Sequence, residues 1–215
     1  MKIAIIGATG FVGSNLVKEF THRGHEVTAI ARNPLAEADT NVKFVKADIF
    51  DSEALAKILK GHDAIVSAYN PGWTNPNIYD DFIAGSRSIQ QAVKDSGVKR
   101  LITIGGAGSL FVAPDVQAVD GPDFPKEYYP GASAARDYLN IIKEEKDLDW
   151  AFFSPAFEMH PGIITGRTGK YRLGLENPVF DNDQRSIISV QDLALVIADE
   201  VENPKHHQQR FTAAY

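Results

Sequence analysis

Residues 2–13 read KIAIIGATGFVG, and this stretch decides the fold. Lys2–Ile6 is an apolar run of strand length. Phe11–Arg23 follows with apolar residues at 11, 12, 16, 17 and 20, the spacing of one helix face. Between them stand Gly7, Gly10 and Gly13. Gly7 permits a tight turn, Gly10 lets backbone N–H groups approach a pyrophosphate, and Gly13 allows the helix to pack closely on the strand. The helix start turns the positive end of its dipole toward the phosphates. A strand before the glycines and a helix after them are the context that separates a phosphate-binding turn from an ordinary glycine-rich one.

Downstream, short apolar runs alternate with helical periods. His25–Ala31, Val42–Ala47, Asp63–Ala68, Arg100–Ile104, Asp149–Ser154 and Arg210–Ala214 read as strands, with a shorter strand-like piece at Gly169–Leu173. Helical spacing falls on a segment capped by Ser52, on Tyr79–Ser96 ending at Gly97, on about Ala134–Glu145, and on a segment capped by Ser189. Strands that alternate with helices imply parallel pairing, because a parallel connection needs a crossover of a dozen or more residues. The expected fold is α/β, a doubly wound, mainly parallel Rossmann sheet with helices on both faces and a small C-terminal lid. Residues 1–215 read as a single NAD(P)-binding domain. Long loops interrupt it at about 69–79, 106–133 and 155–186, each beyond the C-terminal end of a strand, where open α/β sheets take their ligands.

Composition removes several function classes. The chain of 215 residues carries 22 basic and 28 acidic residues, net −6, so nothing pulls it globally onto a nucleic acid. It has no cysteine, which excludes disulfides, thiolate metal sites and a cysteine nucleophile, and fits a reducing compartment. The apolar run at Ile3–Ile6 is too short for a signal sequence, and no stretch reaches membrane-span length. The expectation is a cytoplasmic protein acting on a small molecule as a monomer or homodimer, with no nucleic-acid or membrane partner. The adjacent His206 and His207 point differently and cluster with nothing, so no metal is expected.

The end of the second strand bears on the cofactor. An acidic residue there would hydrogen-bond the ribose 2′-OH of NAD and repel a 2′-phosphate. Ala31-Arg32-Asn33 holds none, and the Arg32 guanidinium suits a phosphate, so NADP(H) is favoured over NAD(H). Asp48 and Ile49, after the third strand, read as adenine contacts, or Asp48 as a cap of nearby amides. Ser67 and Ala68 offer small residues where the cofactor passes, and Gly105 does so after the fifth strand. With Gly7, Thr9, Gly10, Phe11, Val12 and Gly13 these form the candidate cofactor site.

These residues resemble the short-chain dehydrogenase/reductase superfamily in its atypical branch. The opening GATGFVG is similar to that branch's phosphate loop. Gly105–Ser109, Leu148–Trp150, Ser154–Ala156, the segment from Pro161 through Tyr171, and Gln209–Thr212 resemble the biliverdin-IXβ reductase and NADH-flavin reductase-like group, also labelled NAD-dependent epimerase/dehydratase-like. Typical members of the superfamily carry Tyr-x-x-x-Lys, whose lysine tunes the tyrosine for proton exchange. Here Tyr128 is followed four residues on by Ala132, Tyr129 by Ser133 and Tyr138 by Ile142. Ser133 and Arg136 stand where the resemblance places the start of the helix that carries the dyad.

A carbonyl reductase or epimerase needs an acid–base group at the reacting oxygen. A flavin, quinone or tetrapyrrole takes a hydride at a conjugated ring and a proton from water. The missing dyad therefore favours hydride transfer from NADPH to a planar, conjugated acceptor. Trp73, Phe111, Tyr128 and Phe157 are the candidate stacking residues, and Ser109, Tyr129 and His160 the candidate proton donors. The alternatives are a non-catalytic NAD(P)-sensing regulator and, less favoured by the absent dyad, a sugar-nucleotide epimerase or dehydratase.

Overall fold

The computed structural model describes residues 1–34 and 41–215. In chain order the elements are β1 (Lys2–Ile6), α1 (Phe11–His22), β2 (Glu26–Ala31), β3 (Val42–Lys46), α2 (Ser52–Leu59), β4 (Ala64–Ser67), α3 (Ile78–Ser96) and β5 (Arg100–Ile104). Two short strands follow, β6 (Phe111–Ala113) and β7 (Val116–Gln117), then α4 (Tyr129–Ile142), β8 (Asp149–Ser154), β9 (Arg172–Gly174), α5 (Val190–Glu202) and β10 (Gln209–Ala214). The main sheet runs β3-β2-β1-β4-β5-β8-β10-β9, parallel throughout except for β9 against β10.

The order reverses between β1 and β4, so the chain leaves the sheet's centre in both directions, the switch point beside which doubly wound sheets take their ligands. The central strands are buried on both faces, which is why they read as unbroken apolar runs. On one side α1 and α5 bring Leu16, Phe20, Leu193 and Ile197 against Ile3 and Ile5. On the other, α2, α3 and α4 bring Leu55, Ile89 and Leu139 against Ala4, Ile6 and Trp150.

Several local features depart from the expected ones. Asp51, one residue before Ser52, caps α2, because its carboxylate accepts from the Ala54 amide at 3.0 Å. Helix α4 begins at Tyr129, five residues before the expected start, with Pro130 in the first turn, where its missing N–H leaves no bond unmade. It also ends earlier, at Ile142. The expected strand at 169–173 lies at Arg172–Gly174. Ser189 caps α5 as expected, accepting from the Asp192 amide at 3.0 Å. The C-terminal helix and strand are built into the layers, with β10 between β8 and β9, and β9 of the 155–186 segment forms the sheet's edge.

Candidate dinucleotide and acceptor site

The glycine loop is held by its own backbone. The Gly7 and Ala8 amides donate to the Ile30 carbonyl at 3.0 and 3.1 Å, which ties the loop to the end of β2. Gly7 has φ +80°, and a Cβ there would lie 2.6 Å from the Ala68 carbonyl oxygen. A Cβ on Gly13 would lie 2.1 Å from the Gly7 oxygen, so only glycine lets α1 start this close to β1. No side chain caps α1, and the amides of Phe11, Val12 and Gly13 meet no acceptor among the described residues. Thr9, Gly10 and Phe11 are exposed around them. A ring of unspent N–H donors at a helix start, with no side chain filling it, fits a pyrophosphate.

Beside this cradle, Arg32 is exposed immediately after β2 and makes no ion pair among the described residues. Asp48 uses one carboxylate oxygen to accept from the Phe50 amide at 3.0 Å, which leaves the other for a ligand. Ile49 is buried, and its carbonyl accepts from the Ser88 hydroxyl. Ser67 is buried at the end of β4, while Ala68 is half-buried against Gly7. Next to them the Tyr69 hydroxyl is pushed up to about 12 by burial, with Asp81 adding to the rise and Arg32 opposing it. Arg32, Asp48 and Tyr69 therefore share one electrostatic neighbourhood. The Gly105 amide donates to the Phe153 carbonyl at 2.8 Å, fixing the end of β5 against β8.

The three long loops differ in what they bring to the mouth. Trp73 and Tyr128 meet edge to face, with ring centroids 5.6 Å apart, and Tyr129 stands exposed at the first residue of α4. Phe157 pairs with Phe180 at 6.2 Å. Phe111 lies on β6 with the Arg210 guanidinium 5.3 Å from its ring centre, lining a shallow depression of about 370 Å³ with Ala113, Pro114, Asp115 and Asn177. Ser109 is fully buried, its hydroxyl bonded to the Gly106 carbonyl and the Ser154 hydroxyl, each at 2.9 Å. His160 is exposed and accepts from the Gly162 amide at 3.2 Å. The structure brings Trp73 and Tyr128 together and seals Ser109 beneath the surface.

Ser133 lies inside α4 and donates to the Tyr129 carbonyl at 2.7 Å, while Arg136 pairs with Asp120 and Asp137. Burial holds Tyr138 well above the ordinary tyrosine range, in the core. His206 and His207 pair with Glu200 and Asp149, and the described residues hold no group of three or more metal-ligating side chains. Two features escape a sequence reading. Gly131 forms a seat under Trp73, with no sequence signal to announce it. Arg210 is a fully buried cation, and its signal is a lone charge inside the apolar strand pattern of β10.

A glycine cradle between the first strand and helix of a parallel sheet, at the switch point beside β4, defines a dinucleotide-binding Rossmann protein. The chain belongs to the NAD(P)H-binding family, whose model matches residues 7–204, and lies within the atypical short-chain dehydrogenase/reductase-like superfamily, an oxidoreductase-like group. It is 38% identical over 214 residues to "Uncharacterized protein YwnB" of Bacillus subtilis, covering 99% of this chain and 97% of that one. Among solved structures, the "putative epimerase" of Bacteroides thetaiotaomicron is 45% identical with a TM-score of 0.91, covering 100% of this chain and 96% of that one. The "putative NADH-flavin reductase" of Streptococcus pneumoniae is 33% identical with a TM-score of 0.84, covering 100% and 99%. Among the described residues no helix is long and apolar enough to cross a membrane.

Proposed function

We propose that this protein is an NADP(H)-dependent reductase that delivers a hydride to a flavin-like or other conjugated small molecule without a tyrosine–lysine pair. The observation that carries the reading is the start of α4. Tyr129 opens the helix, Ser133 stands four residues on, and the Ser133 hydroxyl is spent on the Tyr129 carbonyl. Position 133 carries a hydroxyl where a tyrosine–lysine pair would put its lysine, so the acid–base help worth a factor of about 10²–10⁴ is missing in its usual form. A bound NADPH supplies one hydride, and an acceptor that takes it at a ring position is completed by one proton from water.

The chain's own task is then to hold two flat groups together and exclude solvent. In this reading Gly7, Thr9, Gly10, Phe11, Val12 and Gly13 hold the phosphates, and Arg32 holds the 2′-phosphate. Asp48 and Ile49 hold the adenine, and Ser67, Ala68 and Gly105 line the nicotinamide end. Trp73, Tyr128 and Phe157 contact the acceptor, with Phe111 at the outer wall. Tyr129 and His160 remain exposed at the mouth, while the buried Ser109 supports the floor. A cytoplasmic monomer or homodimer acting on a small molecule completes the proposal, in keeping with a cysteine-free chain.

Steady-state oxidation of NADPH with FMN, quinones and biliverdin as acceptors tests this. Turnover with at least one acceptor is expected, and the reading fails if NADPH binds and none is reduced, which is the outcome a regulatory sensor would give. The names of the Bacteroides "putative epimerase" and of the "UDP-glucose 4-epimerase" of Vibrio cholerae favour a second reading, a sugar-nucleotide epimerase or dehydratase. That reading requires Tyr129 or His160 to move the proton, and interconversion of UDP-sugars is its test.

A further inference from the structure

We propose that Trp73, seated on Gly131, is the platform on which the acceptor ring stacks, and that the missing side chain at 131 sets the height of that platform. The inference rests on the hydride-transfer reading and specifies its acceptor subsite. A Cβ built on Gly131 would lie 2.7 Å from Trp73 Cζ3 and 3.3 Å from Cε3, so the indole lies directly on the backbone of α4's first turn. Tyr128 braces it edge to face at 5.6 Å. The indole nevertheless remains 58% exposed. A tryptophan that served only to close the loop would bury its outer surface, whereas this one is gripped on one side and open on the other.

Its position ties it to the switch point. Trp73 lies five residues beyond Ala68, whose carbonyl abuts Gly7 of the phosphate loop. On α4, Gly131 and Ala135 share a face one turn apart, roughly 6 Å along the axis. A Cβ on Gly106 would meet Ala135 Cβ at 3.1 Å. The indole seat is thus one helical turn from the residue that touches the glycine pair following β5, where the nicotinamide end of the cofactor is assigned.

Trp73 is flanked by two anchors to α3. The Tyr69 hydroxyl donates to the Asp81 carbonyl at 2.9 Å, and the Asn75 side-chain amide donates to the Asp81 carboxylate at 2.7 Å. Tyr69 also stacks on Phe82. A rigid aromatic face offers stacking area with little side-chain entropy lost on binding, and it suits a flat fused-ring acceptor.

Riboflavin is the probe, since stacking on an indole extinguishes its fluorescence by contact. Titrated with the intact protein and NADP, riboflavin is expected to bind with its emission quenched. Trp73→Leu should raise the riboflavin Kd by roughly tenfold, the scale of a lost aromatic stack, and restore emission of the bound flavin. Gly131→Ala should act in the same direction by lifting the indole. Both variants should keep the NADPH Kd within about twofold of wild type, as neither residue lies in the phosphate cradle. Riboflavin binding by Trp73→Leu within about twofold of wild type overturns the proposal, as does the absence of saturable quenching in wild type. Failure of the wild type to bind NADPH would instead strike the cofactor reading, which the flavin titration does not measure.

Discussion

Arg32 and Arg210 are both arginines at the edge of the proposed site, and their surroundings give them opposite tasks. Arg32 is exposed, opposes the burial-driven rise in the Tyr69 pKa, and makes no ion pair among the described residues; the proposed reading gives it the 2′-phosphate. Arg32→Asp should lower the affinity for NADPH relative to NADH by about tenfold or more, because it replaces a phosphate partner with a repelling charge. Binding titrations with the two cofactors check this, and an unchanged ratio removes Arg32 from the site. Arg210 is buried, donating to the Ser109 carbonyl and pairing with Glu176, and so pins the segment after β5 to the sheet. Arg210→Met should lower stability by about 2–3 kcal/mol in urea unfolding, since the buried bond to the Ser109 carbonyl and the pairing with Glu176 are lost, leaving the Ser109 carbonyl only the Gln117 side-chain amide at 2.8 Å. At this scale the glycines were legible because their spacing has a mechanical reason. Ser109 was not, because whether a serine faces a ligand or a second buried serine depends on packing between distant strands.

Among the elements, β1 and β8 agree residue for residue with their apolar runs, while the start of α4 does not. Its first turn, Tyr129-Pro130-Gly131-Ala132, carries a glycine that disfavours helix, and there Gly131 and Ala132 pack against Trp73 and Gly108. Tertiary contact outweighs propensity there, and the same contact seats Trp73 on α4.

The N-terminus of α5 supplies a second test. Asp192 is fully buried, accepting from the Thr168 hydroxyl at 2.7 Å, the Gly169 amide at 2.9 Å and the Tyr215 hydroxyl at 2.6 Å. Burial alone would raise its pKa, yet these donors outweigh burial and hold the carboxyl below its ordinary 3.8. A carboxyl depressed on folding contributes stability that is fully present above the unfolded value and lost as pH falls through the folded one. Melting temperature should therefore drop steeply below about pH 4. Asp192→Asn should flatten that acid limb and lower stability near neutrality by about 2 kcal/mol. Identical pH profiles for the two proteins would refute this role of Asp192.

Across the whole molecule, the alternation of strands and helices makes the mainly parallel sheet readable in the sequence. The placement of β10 between β8 and β9, and the folding of the 106–133 segment into a hairpin and the start of α4, rest on long-range pairings with no local pattern. The central claim is that this sheet presents NADPH to a flat acceptor and leaves proton delivery to water rather than to a tuned tyrosine. The direct measurement is the rate of NADPH oxidation with FMN, wild type beside Tyr129→Phe. Turnover is expected in both, with rates within about threefold of each other, because the proposed reading takes the proton from water and not from Tyr129. No turnover in the wild type, or a fall of about 10²–10⁴ in the variant, would contradict it.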